Sequence, residues 1–526
     1  MRVHDLVCLA LAITTGVNLS HAQLLELPPD GPGPHERISP NDLLREPVGD
    51  QPRSPAFFTP RGFVQSVQVN VDMNGMNIVG DAANEPSLAS DPRFPNRIVI
   101  GYRQFDSINN SFRQGGYSWS DDFGRTWNKN TLTPGVFRSD PVLRASADGT
   151  IFYNSLRIEP AFEVDYFRSS DGGQTWSGPV FAFGGDKTWF AIDKSDTPRR
   201  GRMIQAWNCC GFNRSLNGGL TWSVPSGNLG IVFGTVDIGP NGEVYVIGQG
   251  GGVRIQRSLD ALDPRTPVPT FAPLSTVIAN NPGGLNREPN PAGLIGSHYV
   301  LAEKNVAGRI GWLYTLTTTW TTGGATEVLF RRSRDAGTTW DPALVFNGGV
   351  PNVNSYQWFG TMGLAPSGRL DIIYNDTGQT LNPVLSQTMY TFSNDGGATW
   401  STPEALGPVW NSIVGWPQQN KIGDYYDIES DNLGFNLAYA TTYNGEQDVY
   451  FIRWGPRPCD DIDFNNDGSA FDPQDVDAFL SVFSEGPCVP AAAICNDIDF
   501  NNDGSLFDPG DTEAFLRVYS EGPCEE

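Results

Sequence analysis

The sequence predicts an all-β chain in which seven four-stranded units close into a wheel, six if one unit start is miscounted, followed by a small helical tail. Three observations predict it. An eight-residue phrase returns through the middle of the chain. Short runs rich in Val, Ile, Tyr and Phe, split by Gly, Asp or Asn turns, precede each copy. From Cys459 onward one acidic motif is stated twice. At 526 residues the chain exceeds a single core, and 59 Gly, 40 Pro and 11% aromatics fit many short strands joined by tight turns.

The first 22 residues read as an export signal. Arg2 is a thin basic start, Leu6 to Val17 is apolar, and Ser20-His21-Ala22 is a small-residue cleavage site. No later run is apolar and long enough to span a bilayer, so the mature chain is expected outside the cell or on its surface, as a monomer. Residues 23–60 hold nine prolines without periodicity and are expected to form a stiff, exposed leader. The net charge of −24 is concentrated in the tail. Residues 459–526 carry 17 Asp or Glu against Arg517 alone, which excludes a phosphate backbone as partner.

Within 61–456 the phrase reads Ser-x-Asp-x-Gly-x-Thr-Trp. It begins at Ser120, Ser169, Ser333 and Ser393, with an amide variant at Ser215 (Asn217) and a decayed Ser258-Leu259-Asp260. The Ser and Asp side chains can bond nearby backbone N–H groups, Gly supplies a positive φ, and Trp anchors the hairpin on its own blade. Strand pairs such as Val142-Leu143 with Thr150 to Tyr153 are joined by Ala147-Asp148-Gly149, Pro240-Asn241-Gly242 and similar turns. Unit starts fall near Glu85, Asp140, Thr188, Gly234, Ser297, Phe359 and Ile422. The last unit has no phrase. An open stack would leave a bare edge, so the alternating run Phe63 to Val71 is expected to close the wheel.

The phrase resembles the Asp box of sialidase-type (BNR-repeat) β-propellers. The resemblance covers roughly residues 80 to 456 and implies an Asp-box β-propeller with boxes on the face opposite the active site. The inner-strand starts at the other mouth are then the candidate site. Glu85, Asp140, Asp186, Asp424 and Tyr425 are the candidate catalytic groups, because carboxylate pairs serve acid–base hydrolysis of sugars. Arg103, Arg144, Lys187, Trp189, His298, Gln357 and Trp358 are candidate substrate contacts, since aromatics stack on sugar rings and amides bond hydroxyls. Sialidases use three arginines, a Tyr–Glu pair and an Asp. Here the Phe/Tyr-Arg-Ile-Pro hallmark is absent, and Arg103 and Arg144 have no third partner at a strand start. Only His35 and His298 follow the signal, which leaves a histidine-based triad or zinc site little material.

Residues 457–526 form the tail. Asp463, Asn465, Asp467 and Ser469 recur as Asp499, Asn501, Asp503 and Ser505, with Gly at the sixth position of each loop. Crowded hard oxygens at positions 1, 3 and 5 suit calcium. The tail resembles a duplicated dockerin-type repeat, which implies calcium and a cohesin-like or cell-surface protein partner. Position 12 holds Gln474 and Gly510, whereas Asp475 and Asp511 come one later, where they either ligate or cap the helices that start at Pro473 and Pro509. Cys459 and Cys488, then Cys495 and Cys524, are each 29 apart, and pairing within each repeat is expected, with pairing between repeats the alternative. Cys209-Cys210 is either a vicinal disulfide or two buried thiols. Two functions follow: a sialidase-like glycoside hydrolase at the surface, or a non-catalytic propeller that binds glycan or protein.

Overall fold

The computed structural model describes residues 38–520 except 62–63, 159–161, 209–210, 280–284, 322–323, 347–354, 379, 456–458, 461, 466, 468, 470, 491–492, 494, 497 and 502–504. The expected export signal, Cys209-Cys210, Asp503 and Cys524 lie outside the described residues.

Seven antiparallel sheets follow one another along the chain, their first strands being Ala82–Ser90, Ser139–Ala145, Trp189–Ile192, Val236–Ile238, Tyr299–Ala302, Gln357–Leu364 and Asp427–Ser430. The first strands of successive sheets touch, and that of the seventh touches that of the first. The chain is a seven-bladed β-propeller. Closure comes from the N-terminal side: Val64–Gln68 pairs with Asp448–Trp454 as the fourth strand of blade 7, with Val67 opposite Phe451. Blade 3 is the thin one. Beyond Gly211–Ser215 only a bridge from Phe212 to Ser226 stands in for a fourth strand. Because blades stack face to face, strands such as Ile98–Phe105 are buried on both sides and read as apolar runs rather than alternations.

Each repeated phrase links the third and fourth strands of its blade, on the side away from the inner-strand starts. In blade 1, Asp122 Oδ1 accepts from the Thr126 N–H at 2.9 Å, Asp122 Oδ2 from the Thr126 hydroxyl at 2.6 Å, and Ser120 Oγ accepts from the Gly124 N–H at 2.8 Å. The pattern returns at Asp171, Asp335 and Asp395, and Asn217 reproduces it with its amide. The decayed copy keeps its aspartate–threonine bonds. Asp260 finds its threonine ten residues on, accepting from both the N–H and the hydroxyl of Thr270, and Phe271 follows where Trp stands elsewhere. Blade 7 needs no phrase, since its fourth strand arrives from the other end of the chain.

The tryptophans reach the preceding blade, and Trp176 also packs edge-on to Tyr153 of its own, as expected. Trp127 packs edge-on to Phe451 of blade 7, Trp176 to Tyr117 of blade 1, and Trp400 to Phe330 of blade 5; Trp222 stacks on Tyr166 of blade 2. Trp340 donates its indole N–H to Ser275 Oγ of blade 4 at 2.8 Å. Each aromatic pair adds about 0.5–1.5 kcal/mol beyond its burial. The glycine is required for the same approach. A Cβ on Gly124, at φ +81°, would lie 2.2 Å from the Phe451 ring.

Residues 38–60 do not stand free as expected of a leader. Ile38 is buried with Phe112, Phe137 and Ile158, Arg53–Pro55 pairs with Met76–Ile78, and Phe58–Arg61 extends blade 7. Prolines keep this run extended, yet its apolar residues find propeller surface, and that burial outweighs the cost of ordering it.

In the tail, helices α1 (Pro473–Phe483) and α2 (Pro509–Tyr519) meet through Phe479 and Phe515, stacked at 4.1 Å, with Phe464 and Phe500 completing the core. Leu480 and Leu516 on these helices are each 53% exposed. Cys488 is bonded to Cys495, so within-repeat pairing is replaced by a bridge across the two repeats. The short connection between the repeats brings these two within reach, with Cα atoms 5.6 Å apart. Cys459 is also disulfide-bonded. No helix among the described residues is long and apolar enough to cross a membrane.

Candidate functional site

At the mouth opposite the phrases, the backbone turns left-handed near the start of most inner strands. Glu85, Asp140, Lys187, Phe233 and Phe359 all have φ between 47° and 61°, and Gly423 serves blade 7 at 96°. For side chains with a Cβ this conformation costs of order 1–3 kcal/mol each. At Glu85, Asp140 and Phe359 it falls within a register shift between the first two strands, where a bulge re-aims side chains. That local device delivers Glu85, Asp140 and Lys187 to one point.

They meet Asp424, Lys421 and Arg103 there. Glu85 lies 3.6 Å from Lys187 Nζ, 3.4 Å from Lys421 Nζ and 3.4 Å from Arg103 Nε. Lys187 also reaches Asp140 at 3.5 Å and is ion-paired with Asp424, which Lys421 approaches to 2.9 Å. Three acids therefore face three cations, and none of the six side chains is more than 6% exposed. Burial drives the Glu85 carboxyl up to about 8 despite Arg103 and the two lysines. Burial opposes ionisation of Asp424 too, but Lys187 and Lys421 hold it well below the usual carboxylate range.

The mouth is plugged. The cavity between Asp140, Lys187, Trp189, Phe233, Ser297 and Tyr425 has a volume of about 10 Å³, room for roughly one water. A hairpin inserted ahead of blade 5, Leu285–Arg287 with Asn290–Leu294, lies over Asp424. The Leu294 N–H donates to Asp424 Oδ1 at 2.8 Å, and the Asn290 amide donates to the Gly423 carbonyl at 2.8 Å.

The other sequence-nominated residues divide. Tyr425 donates its hydroxyl to the Pro141 carbonyl at 2.8 Å, beneath Trp189, and burial pushes its hydroxyl pKa well above the usual value. Asp186 accepts from the Asn208 amide at 3.2 Å. Arg144 sits over Trp189 and pairs with Asp427 at 2.7 Å, tying blade 2 to blade 7. His298 is fully buried, neither ring nitrogen has a hydrogen-bond partner, and burial lowers its pKa to about 4. Gln357 accepts from the Val328 N–H, and Trp358 donates to Ser386 Oγ inside blade 6, so both belong to blade interiors. Sequence reading missed Lys421 and Asp427. The i, i+3 spacing of Lys421 and Asp424 was the available signal.

In the tail, the Asp467 N–H donates to both Asp463 Oδ1 and Asn465 Oδ1, so the two oxygens converge. Asp475 and Asp511 each complete a capping box, with Oδ2 accepting from the N–H of Asp472 or Asp508. Burial raises the Asp511 carboxyl to about 6 against the backbone N–H groups of Asp508 and Asn501. Asp499 instead reaches Arg125 of blade 1, at 3.0 Å.

No family model matches this chain, and no curated protein matches it either. Solved structures do. It is similar to a protein of unknown function from Dyadobacter fermentans (16% identity, 76% of this chain and 100% of that one, TM-score 0.43). It is also similar to a Hadza microbial sialidase (16%, 70% and 65%, 0.39) and to a phage phi92 endosialidase (11%, 75% and 69%, 0.41). At these identities the likeness concerns the fold alone.

Proposed function

We propose that this chain is an exported Asp-box propeller that binds rather than cleaves, docked through a dockerin-type calcium tail. The plugged mouth carries the reading. Glycoside hydrolysis needs two carboxyl groups flanking a space for a sugar ring, and here the acids are neutralised by lysines and arginine around about 10 Å³. A buried polar cluster of this kind ties blades 1, 2, 3 and 7 together at their inner ends. Calcium would be held by Asp463, Asn465, Asp467 and Ser469 and by their counterparts Asp499, Asn501, Asp503 and Ser505, with Asp475 and Asp511 closing each loop. It would order the tail for a cohesin-like or surface partner.

One observation favours the rival reading of a glycosidase with Glu85 as acid and Asp424 as base: their environments push them in opposite directions. A hydrolysis screen on neutral and sialylated oligosaccharides decides. No release is expected from the wild type; release that Asp186→Asn plus Asp424→Asn abolishes would sink the binding reading.

A further inference from the structure

We propose that the groove between residues 45–51 and the outer half of blade 1 binds a neutral, hydroxyl-rich ligand, a carbohydrate of one or two rings. The proposal rests on the binding reading and gives the binder a location lined by none of the six residues of the buried ion cluster. The groove has a volume of about 580 Å³, within the usual range for small-ligand sites. Its floor comes from blade 1 and its approach, with Asp81, Gln104, Phe105, Asp106 and Lys129; its outer wall is the run from Arg45 to Gln51. That wall is fastened at both ends. Arg45 pairs with Asp106 at 2.9 Å, the Gln51 amide donates to the Asp106 carbonyl at 2.9 Å, and the Val79 N–H donates to the Pro52 carbonyl.

Asp81 is 2% exposed. One of its oxygens takes Lys129 Nζ at 3.1 Å, and the other, Oδ1, makes no hydrogen bond. A buried acceptor left unmet is costly, and a ligand hydroxyl is the donor that would meet it. Charge sets the class. Asp81, Asp106 and Glu46 oppose a sialate or sulfate, whereas Arg45 and Lys129 oppose an ammonium. A neutral sugar faces neither, and carboxylates and amides are what its hydroxyls take.

The test is a titration of the full chain with neutral mono- and disaccharides, read by ligand-observed NMR, beside sialylated sugars and short peptides. Asp81→Asn is expected to weaken neutral-sugar binding roughly tenfold to hundredfold. Val48→Trp, on the exposed rim and clear of the buried network, should block the groove, while Leu259→Ala on blade 4 changes nothing; thermal melts confirm that each variant folds. No neutral sugar bound by the wild type, binding that both groove variants leave intact, or tighter binding of sialylated sugars or peptides would each overturn the proposal. Sugar release in the hydrolysis screen would fail the binding reading without altering the Val48→Trp comparison, so the two failures are told apart.

Discussion

Arg125, inside the first repeated phrase of the propeller, holds Asp499, the first residue of the second tail loop, at 3.0 Å. A guanidinium and a divalent cation compete for the same carboxylate. On the calcium reading, Arg125→Ala is expected to tighten the second loop severalfold for calcium while leaving the first unchanged. Calorimetric titration of the full chain reads both loops.

The ion cluster predicts an asymmetric mutational response. Lys187→Met removes the cation that Asp140 and Asp424 share in a buried site and is expected to cost about 3–5 kcal/mol of stability. Adding Asp424→Asn should restore part of it, because the charge that lost its partner is gone. Denaturant melts of both variants check this; a Lys187→Met chain as stable as wild type would contradict the network.

Two buried groups tilt pH stability in opposite senses. His298 is held neutral, its pKa lowered by burial to about 4 from 6.5, so its contribution is full above about 6.5 and is lost as pH falls toward 4. Glu85 is raised to about 8 from 4.5, so its contribution is full below 4.5 and is lost as pH rises through 8. His298→Leu is therefore expected to flatten the acid limb of stability against pH and leave the alkaline limb alone, as followed by thermal melts from pH 4 to 9.

Two glycines, Gly173 at the phrase's own glycine position and Gly218 at the variable position before it in another copy, separate conformational strain from steric approach. Gly173 has φ +90°, and a Cβ there would lie 2.4 Å from Val99 of blade 1, whereas at Gly218, φ +66°, nothing lies within 4 Å. Gly218→Ala is expected to cost about 1 kcal/mol and Gly173→Ala roughly 2–4 kcal/mol. Equal losses would mean that the close approach between blades is not what the glycine serves.

Much of the architecture was legible because it is local and repeated. The turn chemistry of Ser120 to Trp127, the seven unit starts and the closing run around Val64–Gln68 all follow from neighbours in sequence. What stayed hidden depends on distant partners. The Asp260 turn could not be completed on paper because Thr270 lies beyond an insertion. Glu85, Asp140, Lys187 and Asp424 were nominated as separate ring members, but their mutual neutralisation arises only when blades 1, 2, 3 and 7 converge. Trp358 and Gln357 sit at a strand start like the others, and only the fold turns them into the blade. Ile38 and its neighbours gave no periodic signal, since the surface they cover is assembled from Phe112, Phe137 and Ile158.

The fourth strand of blade 7 is also nearly the earliest strand in the chain, with Gln65 opposite Arg453. The two edges it joins are about as far apart in synthesis as this fold allows. Until Asp448–Trp454 has appeared, residues 64–68 have no sheet to complete, and blade 7 keeps an open edge. The clasp therefore cannot fasten early, and the wheel locks only once its last spoke has been made.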